Sequence, residues 1–349
     1  MADNQAGTYA ENQADTQAET QTETQAKAQA KAQAKAQANI HAGDHVRVCE
    51  VGPRDGLQMA PSIMPTPVKI AWLKKILEAG VPEIEAGSFV PPRLVPQMAD
   101  TGEVIRTMSQ WSDHGICALV PNLKGAQFAY EAGAHAVIVP VSVSEKHSQS
   151  NTRKGTFEQV AEVHAIVQWV RAQPRAMRVD VGCATAFGCS MEGAIAQDRV
   201  VAVAGALARA GADQVVLADT VGYGNPAQIR SVVRAVRAEV GPVLGKLHLH
   251  DTMGLGLANV LAGLDAGIRE FDSSMGGLGG CPFAPGASGN IVTEDLVFML
   301  ESMGVRTGID LDKLMEARAL LQEGLPGEPL RGNIALAGIP RTYRERASR

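Results

Sequence analysis

An α/β chain closed into a (β/α)8 barrel is the fold this sequence predicts, on three observations. Short β-rich apolar runs alternate with longer amphipathic segments from Val46 onward. There are eight such runs, at a step of roughly 30 residues. Polar residues gather at the C-terminal ends of several different runs, which is the rim where barrels build their chemistry. An open doubly wound sheet is the competing arrangement, because strand count alone does not show closure. The rim distribution favours the barrel.

The runs are VRVCEV (46–51), EIEAGSF (83–89), GICALVP (115–121), AVIVPV (136–141), RVDVGCA (178–184), QVVLAD (214–219), GKLHLHD (245–251) and REFDSS (269–274). Helical patterns lie between them. TPVKIAWLKKILEAG places Thr66 at a cap position before Pro67 and ends at Gly80; NPAQIRSVVRAVRAEVG starts Asn225-Pro226 and ends at Gly241. Residues 1–44 are almost wholly Ala, Gln, Thr, Lys, Glu and Asp and cannot bury an apolar face, so they read as a disordered tail with no part in chemistry. Residues 45–300 form the barrel domain. Residues 301–349, including DLDKLMEARALLQEG, read as an extension with one or two extra helices packed on it.

Composition narrows the function classes. A formal net charge of −5 over 349 residues leaves no basic footprint for nucleic acid. Five cysteines, an odd number with no C-x-x-C pair, indicate neither a disulfide framework nor a zinc ribbon and suit a reducing, cytoplasmic setting. No apolar run approaches the roughly 20 residues that span a bilayer, and neither end carries a recognisable targeting or lipidation signal, so no membrane partner is expected.

The seventh run carries the chemistry. In a strand, residues two apart share a face, so His248 and His250 point one way while Leu247 and Leu249 point the other. In a barrel the leucines pack under the helices and both imidazoles enter the mouth, part of a coordination sphere for a divalent cation. Hydrogen-bonded core histidines are the plainer alternative, but a pair at spacing two on a strand end favours the metal. Asp55, after the first run, supplies an anionic oxygen, since strands one and eight close beside seven; Asn290 in GASGN is a further donor. Imidazoles with hard oxygen donors and open positions suit magnesium or manganese better than a closed structural zinc.

Arg54 precedes Asp55, so one side chain can face the metal while its neighbour presents a guanidinium to a developing oxyanion. Glu85, one strand away, is placed for Arg54 or the substrate. Asp219 and Thr220 hold the equivalent rim position on strand six, where an acid is often structural. The loop SSMGGLGGCPFAPGASGN (273–290) lacks both phosphate-binding glycine signatures and reads as a lid, with glycine hinges, Pro282 and Pro285 as stiffeners and Cys281 at its tip. The other four cysteines read as bland buried thiols.

EVGPRDGLQ (50–58), IEAGSFVPPRLVPQMAD (84–100), LADTVGYGNP (217–226) and the long stretch from His248 to Leu300 together resemble the 3-hydroxy-3-methylglutaryl-CoA lyases of the DRE-TIM metallolyase superfamily. The resemblance runs over nearly everything from Val46 to Leu300, and its most specific part is the cysteine-bearing glycine loop, which isopropylmalate and homocitrate synthases lack. It implies a TIM barrel, an acyl-CoA substrate, a divalent cation and a homodimer. It also implies Asp55, His248, His250 and Asn290 as metal ligands, Arg54 as enolate stabiliser, Glu85 as an active-site acid and Cys281 as the lid cysteine. His248 would also take part in proton transfer, and Asp219 with Glu294 would form a supporting pair. The implied reaction is a retro-Claisen cleavage giving acetoacetate and acetyl-CoA.

One departure bears on specificity. After DGLQ the lyases typically continue with Asn-Glu and often a lysine, whereas this chain has Met59, Ala60 and Pro61. A lyase for a related acyl-CoA, such as citramalyl-CoA cleaved to pyruvate and acetyl-CoA, therefore stays open. So, further down, do a condensing enzyme of the superfamily and a non-catalytic acyl-CoA-binding homologue.

Overall fold

The structure, a computed structural model, describes residues 43–113, 115–280 and 289–347. Within them eight parallel strands close into a barrel in sequence order: β1 (Arg47–Glu50), β2 (Glu83–Ser88), β3 (Ile116–Leu119), β4 (Ala136–Ser142), β5 (Arg178–Ala184), β6 (Gln214–Asp219), β7 (Leu244–Leu249) and β8 (Glu270–Ser273). Closure is direct, because β8 pairs along β1 from Arg47↔Glu270 to Glu50↔Ser273. Each of the eight apolar runs matches one strand, β4 and β7 reaching one residue beyond their runs, and the open-sheet alternative falls.

The crossover helices are α1 (Thr66–Glu78), α2 (Thr101–Trp111), α3 (Leu123–Ala132), α4 (Glu145–Thr152) with α5 (Thr156–Arg171), α6 (Gln197–Arg209), α7 (Pro226–Val240), α8 (Gly256–Asp265) and α9 (Thr293–Ser302). Two cap readings separate here. Asn225 caps α7 as expected, its side chain accepting from the Gln228 N–H at 3.1 Å. Thr66 does not cap α1: Pro65 holds that position, and the Thr66 hydroxyl donates to Asp100 Oδ2 at 2.9 Å. The proline already fixes the entry dihedral, which frees the threonine to tie α1 to the start of α2.

The side-chain alternation of β7 positions the site. Leu247 and Leu249 are fully buried against the helical layer, each worth roughly 1.5–3 kcal/mol of burial. Helix α8 comes close enough over Leu247 that a Cβ on Gly263 would stand 2.7 Å from Leu247 Cδ1. A one-residue slip would bury both imidazoles in that layer, so the leucines fix which way the histidines point.

Below the mouth, the barrel interior is charged, where barrels usually stack branched apolar residues. Glu83, Asp180 and Lys246 are almost wholly buried there: Arg178 bridges Glu83 and Asp180, and Lys246 donates to Glu83. Removing one partner of such a buried pair typically costs about 3–5 kcal/mol, so this tier tolerates only balanced changes.

After α9 come three further helices, α10 (Leu311–Gly324), α11 (Asn333–Ala337) and α12 (Arg341–Ala347), more than the one or two expected. They are not a passive cover. Arg318 on α10 donates to Glu294 at 2.5 Å, and Arg331 donates to the Gly277 carbonyl at 2.8 Å and the Asn290 carbonyl at 3.3 Å. The extension thus grips the segment after β8. Among the described residues, no helix is long and apolar enough to cross a membrane.

Candidate active site

The site begins where β1 ends. GPRDG (Gly52–Gly56) forms a buried π-helical turn in which the Leu57 N–H donates to the Gly52 carbonyl, five residues back. Such turns are rare and recur at functional sites because they re-aim consecutive side chains. Glu50 holds this one in place. Its Oε1 accepts from the N–H groups of Gly52 (2.8 Å) and Met275 (2.9 Å), and its Oε2 from the Thr293 hydroxyl (2.7 Å). Burial pushes the Glu50 carboxyl up to about 8 in spite of these donors.

From this turn Asp55 faces His248 and His250. The three possible ligand atoms lie within 4.8 Å of one another. Asp55 Oδ2 is 3.5 Å from His250 Nε2 and 3.9 Å from His248 Nε2, and the two Nε2 atoms are 3.1 Å apart. Two imidazole nitrogens so close share either a proton or a cation. His248 Nδ1 is 3.2 Å from Asp272 Oδ2, which accepts its proton and leaves Nε2 with a lone pair, the arrangement by which carboxylates orient metal-binding histidines. Burial alone would raise the Asp55 carboxyl, but Arg54 and the two imidazoles hold it well below the usual carboxylate range. His250 is pushed down by burial, which Asp55 only partly offsets. His248 is raised in spite of burial, by the Asp272 hydrogen bond and by Asp55. A carboxylate held ionised beside two imidazoles is the donor set a divalent cation requires.

Asn290 reaches the cluster through its nitrogen. Its Nδ2 donates to Asp55 Oδ2 at 2.6 Å and to the Leu278 carbonyl at 3.2 Å, while Oδ1 is buried with no partner. In this arrangement Asn290 tethers Asp55. Turning the amide over would bring Oδ1 against the same carboxylate, which is repulsive unless a cation stands between them, so the orphaned oxygen fits a fourth ligand. Gly279, at φ +115°, is required here: a Cβ would lie 2.7 Å from Asn290 Nδ2 and 3.4 Å from Asp55 Oδ2.

Arg54 sits beside the cluster. Its Nη1 donates to Asp55 Oδ1 (2.6 Å) and its Nη2 to Glu85 Oε2 (2.7 Å), so Glu85 does contact Arg54. Arg54 Nε and Glu85 Oε1 are buried and unpaired. The remaining expected site residues are not all in the cluster. Asp219 accepts from the N–H groups of Tyr223 and Gly224, both at 3.0 Å, closing the loop after β6, and burial pushes its carboxyl up to about 6. Thr220 accepts from the Thr185 N–H at 2.8 Å. Glu294 accepts from the Gly276 N–H and Arg318. Asp219 and Glu294 are thus not a hydrogen-bonded pair; each spends its oxygens on a different loop. The lid tip with Cys281, Pro282 and Pro285 lies outside the described residues. Cys49, Cys117, Cys183 and Cys189 are free and buried, as expected.

Comparison with known proteins completes the picture. The HMGL-like family matches residues 45–321. This chain belongs to the HMGL-like family. It is 42% identical over 280 residues to the mitochondrial hydroxymethylglutaryl-CoA lyase of Mus musculus, covering 80% of this chain and 86% of that protein. It is also 42% identical over 274 residues to the cytoplasmic 3-hydroxy-3-methylglutaryl-CoA lyase of Rattus norvegicus, covering 78% and 79%. Among solved structures, the HMG-CoA lyase of Acinetobacter baumannii in complex with coenzyme A and 3-methylmalate superposes with a TM-score of 0.80 at 41% identity, over 85% of this chain and 96% of that one.

Within this HMGL-like barrel, sequence reasoning missed Asp272, Lys246 and Glu50. The first two lie on inward strand positions whose parity is visible in REFDSS and GKLHLHD, but their partners are remote in sequence. Lys246 meets Glu83 across 163 residues. Glu50 precedes the GPRDG motif and reads there as one more polar strand residue.

Proposed function

We propose that this chain is a divalent-cation-dependent carbon–carbon lyase that cleaves 3-hydroxy-3-methylglutaryl-CoA into acetoacetate and acetyl-CoA. The observation that carries the reading is the Arg54-Asp55 turn: Asp55 completes the His248–His250 cluster, and Arg54 before it presents a buried N–H with no acceptor. A donor left unpaired at such a cost is what a developing oxyanion would satisfy.

Magnesium or manganese, held by Asp55, His248 and His250 with Asn290 as fourth donor, would polarise the substrate's tertiary hydroxyl and an adjacent carbonyl oxygen. Cleavage then requires three events. The hydroxyl proton leaves, the C2–C3 electron pair withdraws into the thioester as an enolate, and C2 regains a proton. Arg54 stabilises the second event through Nε–H, its other nitrogens being fixed by Asp55 and Glu85 so that no reorganisation is needed. Among the described residues of the site, Glu85 Oε1 and His250 Nδ1 are both buried basic atoms with no hydrogen-bond partner; with His250 committed to the cation through Nε2, we assign proton removal to Glu85 Oε1. His248, with Nδ1 on Asp272 and Nε2 turned to the ligand cluster, has no nitrogen to spare; its role in proton transfer would require Nε2 to leave the cluster.

A cavity of about 510 Å³ runs from Ser88, three residues along the chain from Glu85, and is lined by Arg106, Lys124, Asn122, the exposed ring of Phe128 and one carboxylate, Glu131. Two cations and an aromatic face suit the phosphate and adenine end of coenzyme A. Lys124→Ala is expected to raise KM for the acyl-CoA about tenfold, the equivalent of one ~1.4 kcal/mol contact, with kcat unchanged. A fall in kcat alone would place coenzyme A elsewhere.

The altered QMAP segment is tied to its surroundings: the carbonyl of buried Ala60 accepts from Gln97 Nε2 at 2.8 Å, and Gln58 Nε2 donates to Asp55 Oδ1 at 3.3 Å. It offers the acyl group no charge, so citramalyl-CoA is the comparison substrate. A reducing, cytoplasmic setting and a homodimer accompany the proposal; cell fractionation and light scattering test them.

A further inference from the structure

Beneath the ligand cluster lies a second tier of charge that the reaction does not use. Lys246, two residues before His248 on the same face of β7, is buried, with Nζ 2.7 Å from Glu83 Oε1 and 3.2 Å from Asp272 Oδ1. Glu83 has its other oxygen on Arg178 at 2.6 Å and Arg47 at 3.5 Å. Asp272 divides its oxygens as well: Oδ1 faces Lys246, and Oδ2 faces His248 Nδ1 at 3.2 Å. Asp272 and His248 are also register partners across the β7–β8 ladder, so the backbone brings them level.

We propose that Lys246 is a positioning residue for the metal site: by holding one oxygen of Asp272 it aims the other at His248 Nδ1, and so presents His248 Nε2 to the cation. The inference rests on the metal reading above. The ion pair at Oδ1, 3.2 Å long and without a directed hydrogen bond, biases rotation about the Cβ–Cγ bond, and Oδ2 then favours the His248 tautomer whose proton is on Nδ1. Release of Oδ1 leaves Asp272 beside a buried Glu83 with no cation between them. The carboxylate turns away, and His248 loses the acceptor that fixes its ring. Losing such a partner typically weakens metal binding about 10- to 100-fold.

A purely structural role makes a different demand. If Lys246 only neutralises Glu83, removing both charges together restores the site; if it works through Asp272, removal of both does not. The experiment is Mn2+ binding to the full-length protein, followed by the electron paramagnetic resonance of free Mn2+, for wild type, Lys246→Met and the double variant Glu83→Gln/Lys246→Met. Thermal unfolding of each metal-free protein reports whether it folds, and the double variant is the one whose tier remains balanced at Glu83. The imidazole 15N shifts of the metal-free protein, recorded where the ring is neutral, read the His248 tautomer directly.

The expected result is a roughly 10- to 100-fold loss of Mn2+ affinity in both variants, with the Nδ1–H tautomer of His248 lost from its dominance in wild type. Wild-type affinity in the folded double variant, or an unchanged tautomer, overturns the positioning role while leaving the metal site standing. Failure of the wild type itself to bind Mn2+ overturns the metal reading and this inference with it.

Discussion

Arg54 concentrates the demands of the reaction on one side chain, since it must hold Asp55, meet Glu85 and still offer an N–H to new negative charge. A lysine keeps the charge but not the planar fork. Arg54→Lys is therefore expected to lower turnover by about 100-fold or more, the typical cost of an oxyanion donor, with Mn2+ affinity unchanged. An equal loss of metal binding would show that Arg54 serves the cluster rather than the enolate. At this scale the sequence was informative wherever chemistry follows from spacing. His248 and His250 share a face because strands have period two, and Asp55 follows from its place at the end of the first strand. Glu85 was placed by the same logic. Asp272 was not legible, because nothing in REFDSS says which inward acid meets which histidine until register is known. Asn290 was found as a donor, but that its nitrogen rather than its oxygen meets Asp55 here is a matter of amide orientation that no sequence carries.

Elements show the same division. Alternation of apolar runs with amphipathic segments located all eight strands, since each run is too short to be a helix and recurs at a regular step. The π-helical form of the GPRDG turn is not legible in the sequence, because a five-residue closure leaves no periodic trace. Its anchor, Glu50, gives the turn a pH dependence. Burial raises the Glu50 carboxyl from its ordinary 4.5 to about 8 in the folded chain. Between those values the folded protein keeps a proton that the unfolded chain has released, so stability falls as pH rises through this window. Glu50→Gln, which cannot titrate, is expected to keep a flatter thermal midpoint from pH 5 to pH 8, while the wild type declines relative to it. Parallel profiles would mean that the three donors to Glu50 hold it ionised throughout.

At the scale of the whole molecule, the barrel and its C-terminal extension act as one body. The contacts that join them are not visible in the sequence, because arginines at 318 and 331 give no local sign of where they bind. Arg318→Ala leaves the buried Glu294 without its cation, a change that typically costs about 3–5 kcal/mol, and a lower thermal midpoint with intact secondary structure is the expected outcome. An unchanged midpoint would return the extension to the status of a cover. On its Ala, Gln, Thr and Lys composition the segment before residue 45 is expected to take no part in chemistry, so its deletion is expected to leave kcat and KM as they are; a change in either would give that segment a role in catalysis. The central claim is the reaction itself, and one assay tests it most directly: acetyl-CoA release from 3-hydroxy-3-methylglutaryl-CoA by the purified chain with Mg2+ or Mn2+, beside citramalyl-CoA and an EDTA control. Metal-dependent cleavage of the first substrate, abolished by EDTA and restored by added cation, is the predicted result. Turnover of citramalyl-CoA alone, or of neither substrate by a protein that binds the metal, would contradict it.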